Sequence, residues 1–415
     1  MPDANRSLER PLHVMEVETF GRGGLIHYSY NLSCSLAERG HRVSLVTSVG
    51  YELEDAYLPT GLEVEKRTAR WTQGRRLRAA LVYKLEALVD AVSIAWRAWS
   101  LRPDVVHLHC TNSILLFHLL LLRLVGFLRR TAVVATAHVV TPHETPNPGL
   151  VQRFVLRLIH RLPHLVIAHS EFDRQRLVDE FDVHIERTVT IPHGEYGFFE
   201  RDPVGAEPLD PAEARRSLGL ESGSEVALFF GYLREYKGLD VLLEAWRSVR
   251  ELRPRARLVI AGDPVQLPAG RRRDLEDEAR RLGAVCRFEY VPFSEVRRYF
   301  AVADVLVMPY RRISQSGVLF LALSLGVPVV ATRVGGLPEI LDDGDSALLV
   351  PPEVPEALAE AILRVLGDDA LQDRLSAGGR RVAAEHSWAT IAERTESTFR
   401  RFYIAVGAHS FGKPI

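Results

Sequence analysis

The chain has few of the features that mark secreted, membrane-spanning or nucleic-acid-binding proteins. It has only three cysteines, Cys34, Cys110 and Cys286, whose wide separation matches neither a disulfide framework nor a metal-binding spacing. Lys+Arg number 52 and Asp+Glu 53, so the formal net charge of −1 gives no reason to expect a nucleic acid partner. Residues 1–10 are polar and contain no apolar signal core. A cytoplasmic protein is therefore expected.

Long apolar runs are also scarce. The longest, 114–128, is interrupted by His118 and Arg123 and is shorter than the roughly 20 residues that a spanning helix needs. We expect a buried or surface-docking helix there. The hydrophobic content of 47% and charged content of 25% are typical of a globular protein. A length of 415 residues favours two domains, because a single core rarely grows that large.

The chain alternates predicted strands and helices. A strand at 12–17, a glycine turn at 21–24, a helix at 25–38 and a strand at 42–47 form a βαβ unit, which implies a parallel sheet. Further strands are predicted at 105–109, 132–137, 165–168, 188–191 and 226–230. We predict domains at 1–192 and 193–385, joined near a polar stretch at 200–211. A final segment, 386–415, contains a helix that begins at Trp388 and a frayed tail.

The most informative segment is 231–239, GYLREYKGL, which follows the apolar strand 226–230 and precedes a predicted helix. Arg234 and Lys237 are three residues apart on this glycine-bounded turn. Together they can converge on one anion, and a diphosphate spreads its charge over oxygens that a guanidinium and an ammonium can share. The alternative is a solvated basic turn, which is common on protein surfaces.

Four downstream blocks give this segment its context: 303–310 (ADVLVMPY), 314–318 (SQSGV), 326–332 (GVPVVAT) and 335–340 (GGLPEI). In this order and spacing they resemble the C-terminal half of the retaining, family-4-like glycosyltransferases of GT-B architecture. The resemblance covers about 12–399. It implies an α/β fold with two Rossmann-like, doubly wound parallel-sheet domains facing each other across a cleft. It also implies an N-terminal acceptor domain, a C-terminal nucleotide-sugar domain and a last helix that crosses back.

The resemblance assigns a donor site to the C-terminal domain. Its predicted residues are Gly231, Arg234, Lys237, Pro292, Phe293, Ser314, Gln315, Ser316, Gly317 and Val318. Arg234 and Lys237 would stabilise the departing nucleoside diphosphate, and Ser314 is the predicted N-cap of the helix that follows. Related proteins carry two glutamates eight positions apart, but this chain has neither, which puts sugar and ribose recognition in doubt. No Asp-x-Asp motif lies where a metal-binding donor site would need one, so neither a metal nor a cofactor is expected.

In the N-terminal domain the resemblance points to a glycine loop and a histidine. Gly23 and Gly24 would offer backbone N–H groups to a phosphate or the acceptor, although glycine there also suits a plain tight turn. The loop lacks the third glycine of a dinucleotide fingerprint, so a nicotinamide or flavin role is disfavoured. His138, directly after a strand, is the predicted catalytic residue. His107, His109 and His143 are left unassigned, since their spacing matches no zinc site.

The region 66–130 is rich in cations and tryptophans. It has 12 basic residues and only three acidic ones after Lys66, with Trp71, Trp96 and Trp99 interleaved. Such a pattern is typical of a helix that contacts an anionic membrane and a lipid-linked acceptor. It is equally typical of an amphipathic helix with inward tryptophans and solvated arginines.

The sequence thus predicts a glycosyltransferase that moves a sugar from a nucleoside diphosphate sugar to a saccharide or lipid-linked acceptor. The alternative is a non-catalytic nucleotide-sugar-binding protein of the same fold, which the missing glutamates favour. A phosphorylase is disfavoured because no lysine has a context that suggests a pyridoxal phosphate Schiff base.

Overall fold

A computed structural model describes residues 10–53, 56–68, 78–109, 115–141, 148–196, 210–264 and 267–408, with the backbone alone over 78–84 and 404–408. The predicted linker at 200–211 lies almost entirely outside these ranges. His143, Trp71 and the predicted C-terminal tail beyond 408 are also outside them.

The chain divides into two compact units. One comprises Met1–Gly194 together with Trp388–Ile415, and the other comprises Glu195–Ser387. The sequence placed the boundaries at 192 and 385. The last helix, which begins at Trp388 as predicted, belongs to the first unit.

The N-terminal unit is built on a seven-stranded parallel sheet of order β3-β2-β1-β4-β5-β6-β7. Its strands are β1 His13–Val17, β2 Arg42–Ser48, β3 Leu62–Thr68, β4 Val105–Leu108, β5 Ala132–Ala137, β6 Leu165–Ala168 and β7 Thr188–Thr190. Its first five helices are α1 Gly24–Glu38, α2 Arg78–Leu101, α3 Leu115–Arg129, α4 Leu150–Arg161 and α5 Glu171–Phe181. The last helix of the chain, Trp388–Ala408, completes the unit.

Burial explains which strands the sequence revealed. Strands β4, β5 and β6 are buried along their whole length and therefore read as continuous apolar runs. Strand β3 lies at the sheet edge and alternates charged with apolar residues, LEVEKRT, and the sequence analysis missed it. An edge strand needs less apolar surface, so its signal is weaker.

The C-terminal unit is built on a six-stranded parallel sheet of order β10-β9-β8-β11-β12-β13. Its strands are β8 Glu225–Phe230, β9 Ala256–Ala261, β10 Val285–Arg287, β11 Val305–Met308, β12 Val329–Thr332 and β13 Leu348–Val350. Its helices are α6 Pro211–Ser217, α7 Leu239–Leu252, α8 Ala269–Arg281, α9 Phe293–Phe300, α10 Gly317–Ser324, α11 Pro355–Gly367 and α12 Asp369–Glu385, which makes the final helix α13.

Both sheets confirm the predicted fold class of Rossmann-like, parallel α/β domains. The strand order reverses between β1 and β4 in the first sheet and between β8 and β11 in the second. Ligands of such sheets bind outside the carboxyl ends of the strands at this reversal. The topology therefore directs attention to the segments that follow β1 and β4 and to those that follow β8 and β11.

Candidate active site

The turn after β8 holds the two predicted cationic residues. It contains a short 3₁₀ helix, Glu235–Lys237, which ends at Gly238 with a left-handed φ of 68°. A Cβ on Gly238 would lie 2.1 Å from the carbonyl oxygen of Pro309, so the turn packs closely on the segment after β11. The segments that follow β8 and β11, the two strands at which the strand order reverses, are therefore in contact.

The side chain of Lys237 points back over the start of its own turn. Its Nζ lies 2.9 Å from the position that a Cβ on Gly231 would occupy, and Val318 Cγ2 lies 3.1 Å from the same point. Lys237 Nζ is also 5.3 Å from the ring centroid of Tyr310, a cation–π distance. The lysine amine and the first turn of α10 therefore meet at Gly231.

Lys237 carries a buried amine. Only 6% of the surface of Lys237 is exposed to solvent. Burial, and secondarily the nearby charge of Arg234, lowers the pKa of Lys237 to about 7. Within the described part of the chain, Lys237 forms no ion pair with a carboxylate. A buried amine in this condition would gain from an anion bound beside it.

The first turn of α10 supplies the other half of this arrangement. Ser316 is the N-cap, and its hydroxyl oxygen accepts a hydrogen bond from the backbone N–H of Leu319 at 3.4 Å. The prediction that Ser314 caps the helix is wrong, because the helix starts two residues later than that role requires. Ser314 is buried, and Gln315 Oε1 accepts from the N–H of Ser316 at 3.1 Å.

Helix geometry then leaves the N–H groups of Gly317 and Val318 at the open end of α10, before the first intrahelical bonds. Such groups are good anion donors. The predicted base-contacting residues Pro292 and Phe293 lie farther along the sheet, at the N-terminus of α9 after β10. Strand β10 is two strands away from β8 at the sheet edge, but Phe293 packs against the same apolar cluster as Val318 and Tyr310.

The glycine loop of the N-terminal unit differs from the simple phosphate loop that the sequence suggested. Gly23 has φ 71° and precedes α1. Its N–H donates to Glu52 Oε1 at 2.6 Å, so a phosphate there would have to displace a carboxylate. Glu18 accepts from the N–H groups of Phe20 and Gly21 at 2.7 and 2.8 Å, and burial raises the pKa of Glu18 to about 7. The sequence analysis did not single out either glutamate.

His138 lies directly after β5, as predicted, but it is enclosed by other histidines. Its Nε2 is 3.3 Å from Nδ1 of His109, and its Nδ1 is 3.0 Å from Nε2 of His169. Tyr28 of α1 packs its ring against His138 edge-on, with centroids 4.8 Å apart. His109 follows β4 and His169 follows β6, so three neighbouring strand ends each supply one imidazole.

A buried glutamate lies beside this histidine group. Glu16, the fourth of the five residues of β1, is hydrogen-bonded to His109 Nε2 and lies 2.9 Å from His107 Nδ1. His107 Nε2 is in turn 2.7 Å from the hydroxyl of Thr136. The pKa of Glu16 is lowered to about 2 by His107 and His109, against a burial effect that by itself raises it. Carboxylate and imidazole are also zinc ligands, but here their nearest atoms already lie within hydrogen-bond distance of each other.

The sequence analysis missed Glu16 and His169. One signal could have found His169: the strand pattern places 107–109, 138 and 169 at the same edge of a parallel sheet. A different signal pointed to Glu16, since a carboxylate inside a buried strand requires a partner.

Comparison with known proteins assigns both halves of the chain. The family described as "Glycosyltransferase Family 4" matches residues 22–194, and "Glycosyl transferases group 1" matches residues 224–368. A D-inositol 3-phosphate glycosyltransferase of Nocardioides sp. is 33% identical over 251 residues, which is 57% of this chain and 53% of that protein. A protein of the same name from Corynebacterium urealyticum is 28% identical over 94% of both chains.

Solved structures agree on the fold. The Anabaena protein HepE in complex with UDP-glucose superposes with a TM-score of 0.72 at 18% identity, over 94% of this chain and 100% of HepE. The parallel sheets, the lysine turn after β8 and the two matched halves lead to one assignment: the chain belongs to the group 1, family-4-like glycosyltransferases of GT-B fold.

Proposed function

We propose that this glycosyltransferase moves a sugar from a nucleoside diphosphate sugar to its acceptor with retention of configuration and without a metal ion. The product would belong to polysaccharide, glycolipid or other glycoconjugate synthesis. Predicted catalytic residues are His138, Arg234 and Lys237. The observation that carries the proposal is the buried amine of Lys237 beside Gly231, facing the open end of α10.

The chemistry follows from the charge at this site. Breaking the glycosidic bond leaves an additional negative charge on the diphosphate, and fixed positive groups stabilise that charge most when they are buried. The pKa of Lys237, lowered to about 7 by burial, would rise again when the diphosphate binds, so donor binding takes up protons at pH 8. The N–H groups of Gly317 and Val318 would bind the same diphosphate from the helix end.

The comparisons suggest candidates for the nucleoside of the donor and for the acceptor, and we propose both for testing. Because HepE was solved with UDP-glucose, UDP is the proposed nucleoside diphosphate. The relatives named D-inositol 3-phosphate glycosyltransferases make that inositol phosphate one acceptor to test. The surface described below favours a lipid-linked acceptor instead.

The test is binding and turnover by Lys237→Ala. UDP, GDP and ADP should first be compared by thermal shift, with magnesium and with EDTA. One nucleotide should stabilise the wild type equally in both, and Lys237→Ala should lose that shift and all transfer. Arg247→Ala, which removes a cation that is 65% exposed on α7, is the matched control and should keep both.

Two results would contradict the proposal. Unchanged turnover by Lys237→Ala would remove the diphosphate role of the lysine. Nucleotide binding by the wild type without transfer to any acceptor would favour the alternative, a non-catalytic protein that binds nucleotide sugars. That alternative draws its support from the two absent glutamates, whose positions correspond to Ser314 or Gln315 and to Leu321 or Ala322.

The membrane proposal now has structural support. Helices α2, α3 and α4 are packed side by side and share an outward apolar face. The exposed residues are Leu85, Leu88, Val89, Val92 and Trp96 on α2, Phe117, Leu120, Leu124, Phe127 and Leu128 on α3, and Leu150, Val151 and Phe154 on α4. Phe127 and Leu150 are 83% and 87% exposed, so this face is unlike an ordinary solvated helix surface.

Cations border this apolar face. Arg130, Arg153 and Arg161 are exposed beside it, whereas Trp99 is half-buried with the guanidinium of Arg129 3.4 Å from its ring centroid. Apolar residues flanked by arginines suit an anionic bilayer surface. None of the described helices is both long and apolar enough to cross a bilayer. We therefore propose that the enzyme lies on the membrane through α2–α4, extending the predicted 66–130 region.

Vesicle co-sedimentation tests this surface. Wild type should bind phosphatidylglycerol vesicles more strongly than phosphatidylcholine vesicles and lose binding as salt is raised. Phe127→Ser combined with Leu150→Ser should abolish binding. Leu252→Ser is the control, since Leu252 is 69% exposed but lies on α7 in the other unit. Equal binding by all these proteins, or none by wild type, would contradict the membrane proposal.

A further inference from the structure

Four side chains and one backbone carbonyl of the N-terminal unit form one continuous chain of contacts. It runs from Glu16 to His109, from His109 to His138, from His138 to His169, and from His169 to the carbonyl oxygen of Ile191. The last distance, from His169 Nδ1 to that oxygen, is 3.0 Å. Each of the three imidazoles uses both of its ring nitrogens in this chain. All of the side chains are buried.

The two ends of the chain accept hydrogen bonds. A backbone carbonyl is an acceptor, and an ionised carboxylate is an acceptor too. The chain has four contacts, and each contact needs one hydrogen between its two heavy atoms. A neutral imidazole carries only one N–H, so three neutral rings supply three hydrogens. One contact would then join two lone pairs in a buried site, which is costly.

We propose that Glu16, His109, His138 and His169 share one proton more than three neutral imidazoles carry. This proton completes the hydrogen bonds on both sides of His138 and so holds its ring in one orientation. With Glu16 ionised, the extra proton makes the chain neutral overall, which removes the cost of burying a lone charge. Both ring nitrogens of His138 are then occupied. Glu16, His109 and His169 are positioning residues, and His138 does not serve as the base that deprotonates the acceptor.

Other aromatic and imidazole groups surround the chain. His107 on β4, Tyr28 on α1 and His193 after β7 face it, and Trp388 on α13 packs on Tyr28 and His193. Burial lowers the pKa of all three rings, to about 4 for His109 and about 3 for His169, and thus opposes the extra proton. The hydrogen-bond geometry carries the proposal against this effect, and the charge and hydrogen bond of Glu16 raise the pKa of His109 in its favour. Glu16 is thus the group on which a shared proton depends. His107 needs no extra proton, because Thr136 can donate to its Nε2 while its Nδ1 donates to Glu16.

The test counts protons directly by long-range ¹H–¹⁵N correlation of protein labelled at histidine nitrogen, at pH 7 and without substrate. Single histidine replacements assign the signals. The three rings should show four protonated nitrogens, and finding three would overturn the proposal. His160 is an internal control, since it is a buried imidazole outside the chain whose Nε2 bonds to the carbonyl oxygen of Val140.

Two variants identify what holds the proton. Glu16→Gln should lower the count to three, whereas Glu16→Asp should keep four. A count of four in Glu16→Gln would show that the carboxylate is not the holder and would overturn that part of the proposal. If Glu16→Gln does not fold, the wild-type count still decides.

This inference rests on the proposed role of His138 in transfer, but its test does not. The proton count needs no donor, and nucleotide binding is measured at the C-terminal unit. In turnover, Glu16→Gln should lower kcat at unchanged donor KM, and Glu16→Asp should restore most of it. If the wild type bound no nucleotide, the proposed function would be refuted, whereas the proton count would be unaffected.

Discussion

At the scale of single residues, burial of the Lys237 amine lowers the stability of the folded protein, although the proposed function needs the amine at this position. Its pKa is about 7 in the folded protein against an ordinary 10.5, so between these values the unfolded chain binds more protons. Stability therefore rises with pH across that window, and the burial cost is fully present below pH 7. Each pKa unit corresponds to about 1.4 kcal/mol.

Lys237→Met should accordingly stabilise the ligand-free protein at pH 6, and the gain should shrink towards pH 10. Urea unfolding at a series of pH values measures this difference. Arg247→Met, which removes an exposed cation from α7, controls for the loss of a positive charge. If the stabilisation by Lys237→Met stayed constant with pH, the pKa of Lys237 would not be lowered by burial.

At the scale of elements, the contact between two strand-end turns decides whether the site forms. Gly238 has φ 68°, and a Cβ there would meet the carbonyl oxygen of Pro309 at 2.1 Å. Gly219 has nearly the same φ, 67°, but nothing lies within 4 Å of its Cβ position. Gly219→Ala should cost about 1 kcal/mol from its backbone conformation alone.

Gly238→Ala should cost clearly more than Gly219→Ala, because the turn must move away from β11. It should also weaken nucleotide binding, which Gly219→Ala should not. The free energy of unfolding from urea titration and the affinity for UDP separate the two effects. Equal costs at both positions would show that the turn can relax without harm.

At the scale of the whole molecule, the two units should respond differently to the donor. All the lysine-turn and α10 contacts come from Glu195–Ser387, whereas the histidine chain lies in the other unit. Calorimetry of a two-unit protein can show more than one transition. UDP at 100 times its Kd should stabilise the C-terminal unit by about 2.7 kcal/mol.

That shift should vanish in Lys237→Ala and persist in Glu16→Gln. Comparing the two variants with wild type in the same calorimetric scans checks the assignment. If Glu16→Gln also abolished the shift, nucleotide binding would depend on the N-terminal unit as well.

The sequence by itself determined the layout of this protein. Its buried strands are apolar runs between glycine turns, and their alternation with helices can only build parallel sheets. The 231–239 segment identified the lysine turn because Arg234 and Lys237 are close in sequence, on a turn directly after a strand. Neighbouring residues in the sequence were therefore enough to predict the fold class, the family and the turn that carries Arg234 and Lys237.

Tertiary structure decided the rest. The residues of the histidine chain are separated by 93, 29 and 31 positions, and only the shared edge of a parallel sheet brings them together. The burial of Lys237, which sets its pKa, depends on α10 and on the loop after β11. Ser316 rather than Ser314 caps α10. Contacts between distant residues leave no local signal, so the strand pattern could indicate a shared sheet edge but not which side chains meet there.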